Sequence, residues 1–211
     1  MLCMELYSSS LLDPFCVLDG SYEGILEKQW KNYTGTATVH FQKNHWMDKV
    51  IAKKFLHWLK AKFPGKKIGL IWDKAAAHVS DEVMKCAEDL GIVVELLFAG
   101  MTSIMQPCDI WLNKAIKSHI RNSYVSYKNS LQLETGAKVI VPRETMITWI
   151  EQAVRAVDAK QRKTRKIASV FTQCGLNPHD MEKVDFGSHL QSLSEDSIYN
   201  SLIQNQRTVE F

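Results

Sequence analysis

The alternation of apolar and polar positions divides the chain into short strands and amphipathic helices. Apolar runs over 1–8 and 14–19, split by Ser8-Ser9-Ser10 and by Asp13-Pro14, suit strands. Residues 20–45 are mixed, carry Gly20, Gly24 and Gly35, and read mostly as loop. Over 47–63, Ile51, Phe55, Trp58, Leu59 and Phe63 recur at helical spacing with lysines between them, and Pro64-Gly65 ends the pattern. The apolar run from Ile68 to Trp72 predicts a short buried strand ending at Asp73. Ser80 suits an N-cap, with Asp81 and Glu82 in a first turn where negative charge favours the helix dipole. Gly91 stops that helix, and residues 92–98 predict a second buried strand. Helix, strand, helix and strand over 47–98 predict an α/β layer with the strands 68–73 and 92–98 adjacent and parallel.

After Ala99-Gly100 a helix is predicted from near Pro107 to about Lys128, because proline suits a first helical turn. Residues 129–140 read as a polar connection. A helix follows from about Arg143 with Met146, Ile147, Ile150, Val154 and Val157 on one face, and a short helix over 163–173. Trp58, Trp72 and Trp149 fall on apolar faces or strands and read as core. The chain thus divides into a domain over 1–176 and a tail over 177–211, rich in Ser, Asn and Gln and expected to be poorly ordered.

Composition adds few constraints. The hydrophobic fraction of 45% in 211 residues is enough for one sizeable core. A net charge of +3 implies no polyanion partner by itself, so any such partner must be argued from where the charges lie. Cys3, Cys16, Cys86, Cys108 and Cys174 are odd in number and form no CxxC pair, which argues against a disulfide framework or zinc knuckle. No apolar run approaches a membrane span, so no membrane partner is expected.

Three residues are candidates for chemistry. Asp73 is predicted at the carboxyl end of a strand, where open α/β sheets bind ligands. His78 follows in the string DKAAAH and could orient a metal-bound water or a scissile phosphate. Asp109 follows Gln106-Pro107-Cys108 in a first helical turn, and Asn113 shares its helical face. Two carboxylates on neighbouring elements suit a divalent cation that keeps waters and substrate phosphates as its other ligands. Each aspartate alone is as readily a helix-dipole or loop residue. Two basic groups could neutralise DNA phosphates: Lys114, Lys117 and Arg121 after Asp109, and Lys160, Arg162, Lys163, Arg165 and Lys166. The second group equally suits a solvated helix face or a nuclear-import patch.

The strings themselves are more specific. LIWDKAAAH at 70–78 resembles the strand and D-N-x-x-x-H signature of Pogo/Tigger-type DDE transposases. AGMTSIMQPCDIWLNKAIKSHIR at 99–121 resembles their T-S-x-x-Q-P-x-D block and the N-K-x-x-K helix. NHWMD at 44–48, VPRETMITWI at 141–150 and IASVFTQCGL at 167–176 resemble further blocks in the same order.

The resemblance implies an α/β, ribonuclease-H-like DDE core followed by C-terminal helices. It implies Mg²⁺- or Mn²⁺-dependent phosphoryl transfer on DNA in the nucleus. The family's second and third acidic ligands fall on Asp73 and Asp109. The first aspartate lies on a strand preceding the segment that residues 1–20 resemble, so that strand is expected to be missing here. Lys74 stands where asparagine or serine is usual, and its charge would compete with a cation for Asp73. These departures predict impaired catalysis and leave open whether the chain acts as an enzyme. The alternative is a non-catalytic nucleic-acid-binding or protein-interaction module; self-association is open in either case.

Overall fold

The computed structural model describes residues 1–21, 24–97, 105–131 and 138–180. Strands β1 (Met4–Glu5) and β2 (Ser10–Leu11) form an antiparallel hairpin with Met4 opposite Leu11. Ser9 turns it with a left-handed backbone, φ 47°, and its N–H donates to the Leu6 carbonyl. The Leu12 and Phe15 N–H groups donate to the Cys3 and Met1 carbonyls, so the hairpin leads directly into β3 (Phe15–Asp19). The expected strand over 1–8 is thus a bent hairpin arm.

The segment expected as loop contains two elements, α1 (Ile25–Trp30) and β4 (Thr38–Gln42). β4 pairs with β3 in parallel, Phe15 opposite Thr38. Its sequence, TVHFQ, does alternate, but its polar members are Thr, His and Gln, and its pairing partner lies beyond an intervening helix. A window of a few residues cannot register that partner.

The described stretch 47–97 matches its expected order. Helix α2 spans Lys49–Lys62, and the Asp48 carboxylate caps it by accepting from the Val50 and Ile51 N–H groups. β5 (Ile68–Trp72), α3 (Asp81–Asp89) and β6 (Ile92–Leu96) follow. β5 and β6 are parallel, with Ile68 opposite Ile92. Gly91 takes φ 65°, a conformation that favours glycine, at the end of α3.

Two expectations change. β6 is buried on one face only: Ile68, Leu70, Trp72, Ile92, Val94 and Leu96 turn to the core, whereas Val93 is 71% exposed. Ser80 holds the N-cap position, but its hydroxyl makes no capping bond and is buried without a partner. Ser80→Ala is therefore expected to change stability by less than about 0.5 kcal/mol, against ~1 kcal/mol for a working serine cap. Urea unfolding of both proteins measures this.

A π-helical turn (Cys108–Leu112) runs into α4 (Asn113–Ser130). Helix α5 (Arg143–Thr164) and α6 (Lys166–Gln173) complete the described residues, divided at Arg165 with φ 50°. The expected Ala99-Gly100 turn, residues 132–137 of the 129–140 connection and the tail from 181 lie outside the described residues, and the connection's first two residues belong to α4.

The N-terminal strands lie between helices on both faces. Met1, Cys3, Leu12, Phe15 and Val17 pack into a cluster with Ile51, Phe55 and Leu59 of α2, Trp72 and Val83. Leu2, Met4 and Leu11 pack instead with Leu112, Ile116, Val154 and Val157. Cys16 and Leu18 join Ile147 of α5. Alternate residues of an extended chain point to opposite faces, so a strand covered on both sides is apolar throughout. The fold is mixed α/β with small parallel and antiparallel sheets; among the described residues these are three separate pairs.

His40 on β4 lies against Phe15, ring centroids 4.9 Å apart, with Glu27 3.6 Å away. Burial, and then repulsion from Lys54, hold its pKa below the ordinary 6.5, against the pull of Glu27. A lowered folded pKa means that the unfolded chain binds the proton more readily, so stability is lost as the pH falls from 6.5 through the folded pKa. The urea midpoint should drop between pH 7.5 and 5.5, and His40→Gln should flatten that drop.

Candidate functional site

The Leu97 N–H donates to the Trp72 carbonyl at 2.8 Å, which carries the parallel pairing to the end of β5 and sets Asp73 just beyond it. The Asp73 side chain is one-third exposed. Its Oδ1 accepts from the Ala75 N–H at 3.2 Å and lies 2.6 Å from His78 Nδ1. An ionised carboxylate only accepts, so Nδ1 is the donor. The His78 ring is buried and stacks on Trp72, centroids 3.8 Å apart at 17°. Its Nε2 sits 3.3 Å from Met47 Sδ. Both ring nitrogens therefore face protein groups, and the imidazole holds the Asp73 carboxylate in place. Lys74 is exposed and makes no ion pair with Asp73 among the described contacts.

Asp109 is exposed in the first turn of the π-helical segment. The expected helix start near Pro107 is correct, but its first turn is π rather than α. Asn113 Nδ2 donates to Asp109 Oδ1 at 2.6 Å, joining the two residues expected to share a helical face. Each aspartate is thus held by a partner from its own segment. No hydrogen bond or ion pair joins the two segments among the described residues.

Among the described residues, no group of three or more His, Cys, Asp or Glu side chains is placed to hold a metal. Asp73 Oδ1 is already engaged by His78. Burial pushes Cys3 up to about 11, and Cys108 and Cys174 up to about 12, so the free thiols are protonated near neutral pH, and soft sulfur ill suits a hard cation such as Mg²⁺. All five cysteines are free of disulfides. The residues as placed do not fit a complete divalent-ion site.

The basic candidates lie on two surfaces. Lys114, Lys117 and Arg121 are exposed along one face of α4. Lys160, Arg162, Lys163 and Arg165 are exposed at the end of α5, and Lys166, half-buried, opens α6. Part of this second group has local work. Arg162 Nε donates to Asp158 at 2.7 Å, and Arg162 and Lys163 lie in the last turn of α5, where cations suit the dipole.

Sequence reasoning missed two residues that shape the site and its support. Met47 touches His78, although the NHWMD string drew attention to its neighbourhood. Glu151 of α5 is buried, accepting from Tyr33 Oη at 2.9 Å and the Ala37 N–H at 2.7 Å. Its signal was an acid inside the apolar stripe Ile147, Ile150, Val154. Gly35 passes so close to Glu151 and Tyr33 that a side chain there would collide with both.

Asp73 thus lies just beyond the carboxyl end of a parallel strand, where open α/β sheets bind ligands, and Asp109 opens a helix. The sequence profile of the DDE superfamily endonucleases matches residues 1–169, and this chain belongs to that family. No curated protein matches the chain. No described helix is long and apolar enough to cross a membrane.

Proposed function

We propose that this chain is a transposase-derived DDE domain of the Pogo/Tigger kind that binds DNA in the nucleus and is impaired in Mg²⁺- or Mn²⁺-dependent phosphoryl transfer. In this reading residues 1–176 form the ribonuclease-H-like domain. Family membership over residues 1–169 supports the DNA substrate. The observation that carries the impairment is the state of the two acids. Asp73 is tied to His78, Asp109 is tied to Asn113, and no third ligand joins either among the described residues. A hard cation such as Mg²⁺ needs several oxygens converging at about 2.1 Å, and two carboxylates held in separate segments offer it little.

What the chain's own residues do in this reading is bind and orient. Lys114, Lys117 and Arg121 face solvent from one side of α4, the helix that follows Asp109, and with the Lys160–Lys166 group would neutralise backbone phosphates. The Trp72–His78 stack keeps Asp73 in one orientation.

Incubation of supercoiled plasmid with Mg²⁺ or Mn²⁺ should give no nicking above that of Asp73→Asn. Metal-dependent nicking that disappears in Asp73→Asn would show an active enzyme instead. Binding of a DNA duplex, read by fluorescence anisotropy, should survive replacement of both Asp73 and Asp109 by asparagine. It should weaken when Lys114, Lys117 and Arg121 become glutamine.

A further inference from the structure

The acid-free stretch richest in basic residues lies elsewhere. Lys49, Lys53, Lys54, Lys60, Lys62, Lys66 and Lys67 occur with no Asp or Glu between residues 49 and 72. The fold supplies acids from other segments for some of them. Glu82 of α3 pairs with Lys49 and Lys53, Glu27 with Lys54, and Asp13 with Lys62. Lys60, Lys66 and Lys67 receive no carboxylate among the described contacts. Lys60 Nζ donates instead to the Lys66 carbonyl at 3.2 Å, which ties the α2–β5 turn to α2.

These three lysines, with Lys85 of α3, line one groove of about 1130 Å³. Its wall carries Ala87, Ile92 and Val94, with exposed Val93 beside them. Asp81 and Glu88 also line it, leaving lysines in excess by two. Clustered ammonium groups repel one another, so an unpaired set does not add to stability. Lysines on an open edge strand can serve to block strand pairing. That role places charge on the strand itself, whereas these four lie on α2, on the α2–β5 turn and on α3.

We propose that this groove is a second docking site for the DNA backbone, remote in sequence from the α4 and α5 basic groups. The inference rests on the DNA-binding reading above. The groove is lined by no arginine, asparagine, glutamine or aromatic residue, the side chains that read base edges or stack on bases. Lysine offers a point charge rather than a planar fork. The contact is therefore with phosphates and is independent of sequence.

The test uses the full chain and two 20-base-pair duplexes of unrelated sequence, with affinity read by anisotropy across a salt series. Lys66→Gln, Lys67→Gln and Lys85→Gln are combined, and Lys60 is kept because it holds the turn. Each phosphate contact contributes about 0.9 to the slope of log affinity against log salt, so the triple variant should lower that slope by roughly 2–3 on both duplexes. All three side chains are exposed, and the one ring contact among them, Lys66 Nζ at 5.9 Å from the Phe63 ring, is a weak surface one, so the melting temperature should move little. Asp81→Asn with Glu88→Gln should strengthen binding to both.

An unchanged slope in the triple variant, with binding lost in the Lys114, Lys117 and Arg121 variant, overturns the groove and leaves the DNA-binding reading standing. A wild-type chain that binds neither duplex overturns both. A groove that holds poly-glutamate but not DNA, in a manner lost in the triple variant, also overturns the inference and makes the partner an acidic protein.

Discussion

Replacing Phe55 with alanine is expected to lower the unfolding free energy by about 3–5 kcal/mol, as deletion of a fully buried aromatic does. Phe55 has no exposed surface, and its ring lies about one ring-contact from three others. The centroid of Phe15 is at 5.4 Å, with those of Trp58 and Trp72 at 5.5 Å each. These partners come from β3, α2 and the end of β5. The cavity would therefore open where α2 joins strands of two different sheets. A domain of this size has only about 5–15 kcal/mol in total, so the loss is a large fraction of it. The effect should reach the candidate site as well. Trp72 lies between Phe55 and the His78 ring, and His78 holds Asp73. Urea unfolding followed by tryptophan fluorescence measures the first effect. A cost below about 1 kcal/mol would mean that the ring cluster is not fixed.

The second large effect is expected at Glu151. Alanine there removes the acceptor of the Tyr33 hydroxyl and of the Ala37 N–H, leaving two donors unsatisfied. At about 1–3 kcal/mol for each stranded buried group, and with Tyr33 less deeply buried than Ala37, the total should be about 2–4 kcal/mol. Tyr33 reports on the same contact. Burial, and then its hydrogen bond to the Glu151 carboxylate, push its pKa up to about 12. In Glu151→Ala the phenol should ionise at lower pH, visible by ultraviolet titration. Glu151→Gln keeps an amide oxygen for the Ala37 N–H and should cost less than the alanine change. Equal costs for the two would show that the carboxylate matters for its charge and not as an acceptor.

The elements whose own residues carry a complete periodic pattern were legible in the sequence. Helix α2 shows a full apolar stripe and a Pro-Gly stop, and β5, α3 and β6 follow with a glycine between helix and strand. Local sterics and helical spacing suffice for such segments. The pairing of Asp109 with Asn113 was legible for the same reason, since residues four apart meet on a helix whatever surrounds it.

What tertiary structure alone decided depends on partners far along the chain. β4 exists because β3 lies beside it, and the one-sided burial of β6 reflects what covers the sheet rather than the strand's own composition. Ser80 looks like a cap, yet the structure gives its hydroxyl no bond. Glu151 meets Ala37, 114 residues away, and no local pattern encodes a contact of that range. The same holds for charge. The lysines from 49 to 67 are equivalent in the sequence, and only folding brings Glu82, Glu27 and Asp13 to four of them while leaving Lys60, Lys66 and Lys67 to line a groove. The sequence set which residues could carry chemistry; long-range packing decided which are already engaged and which remain open to a ligand.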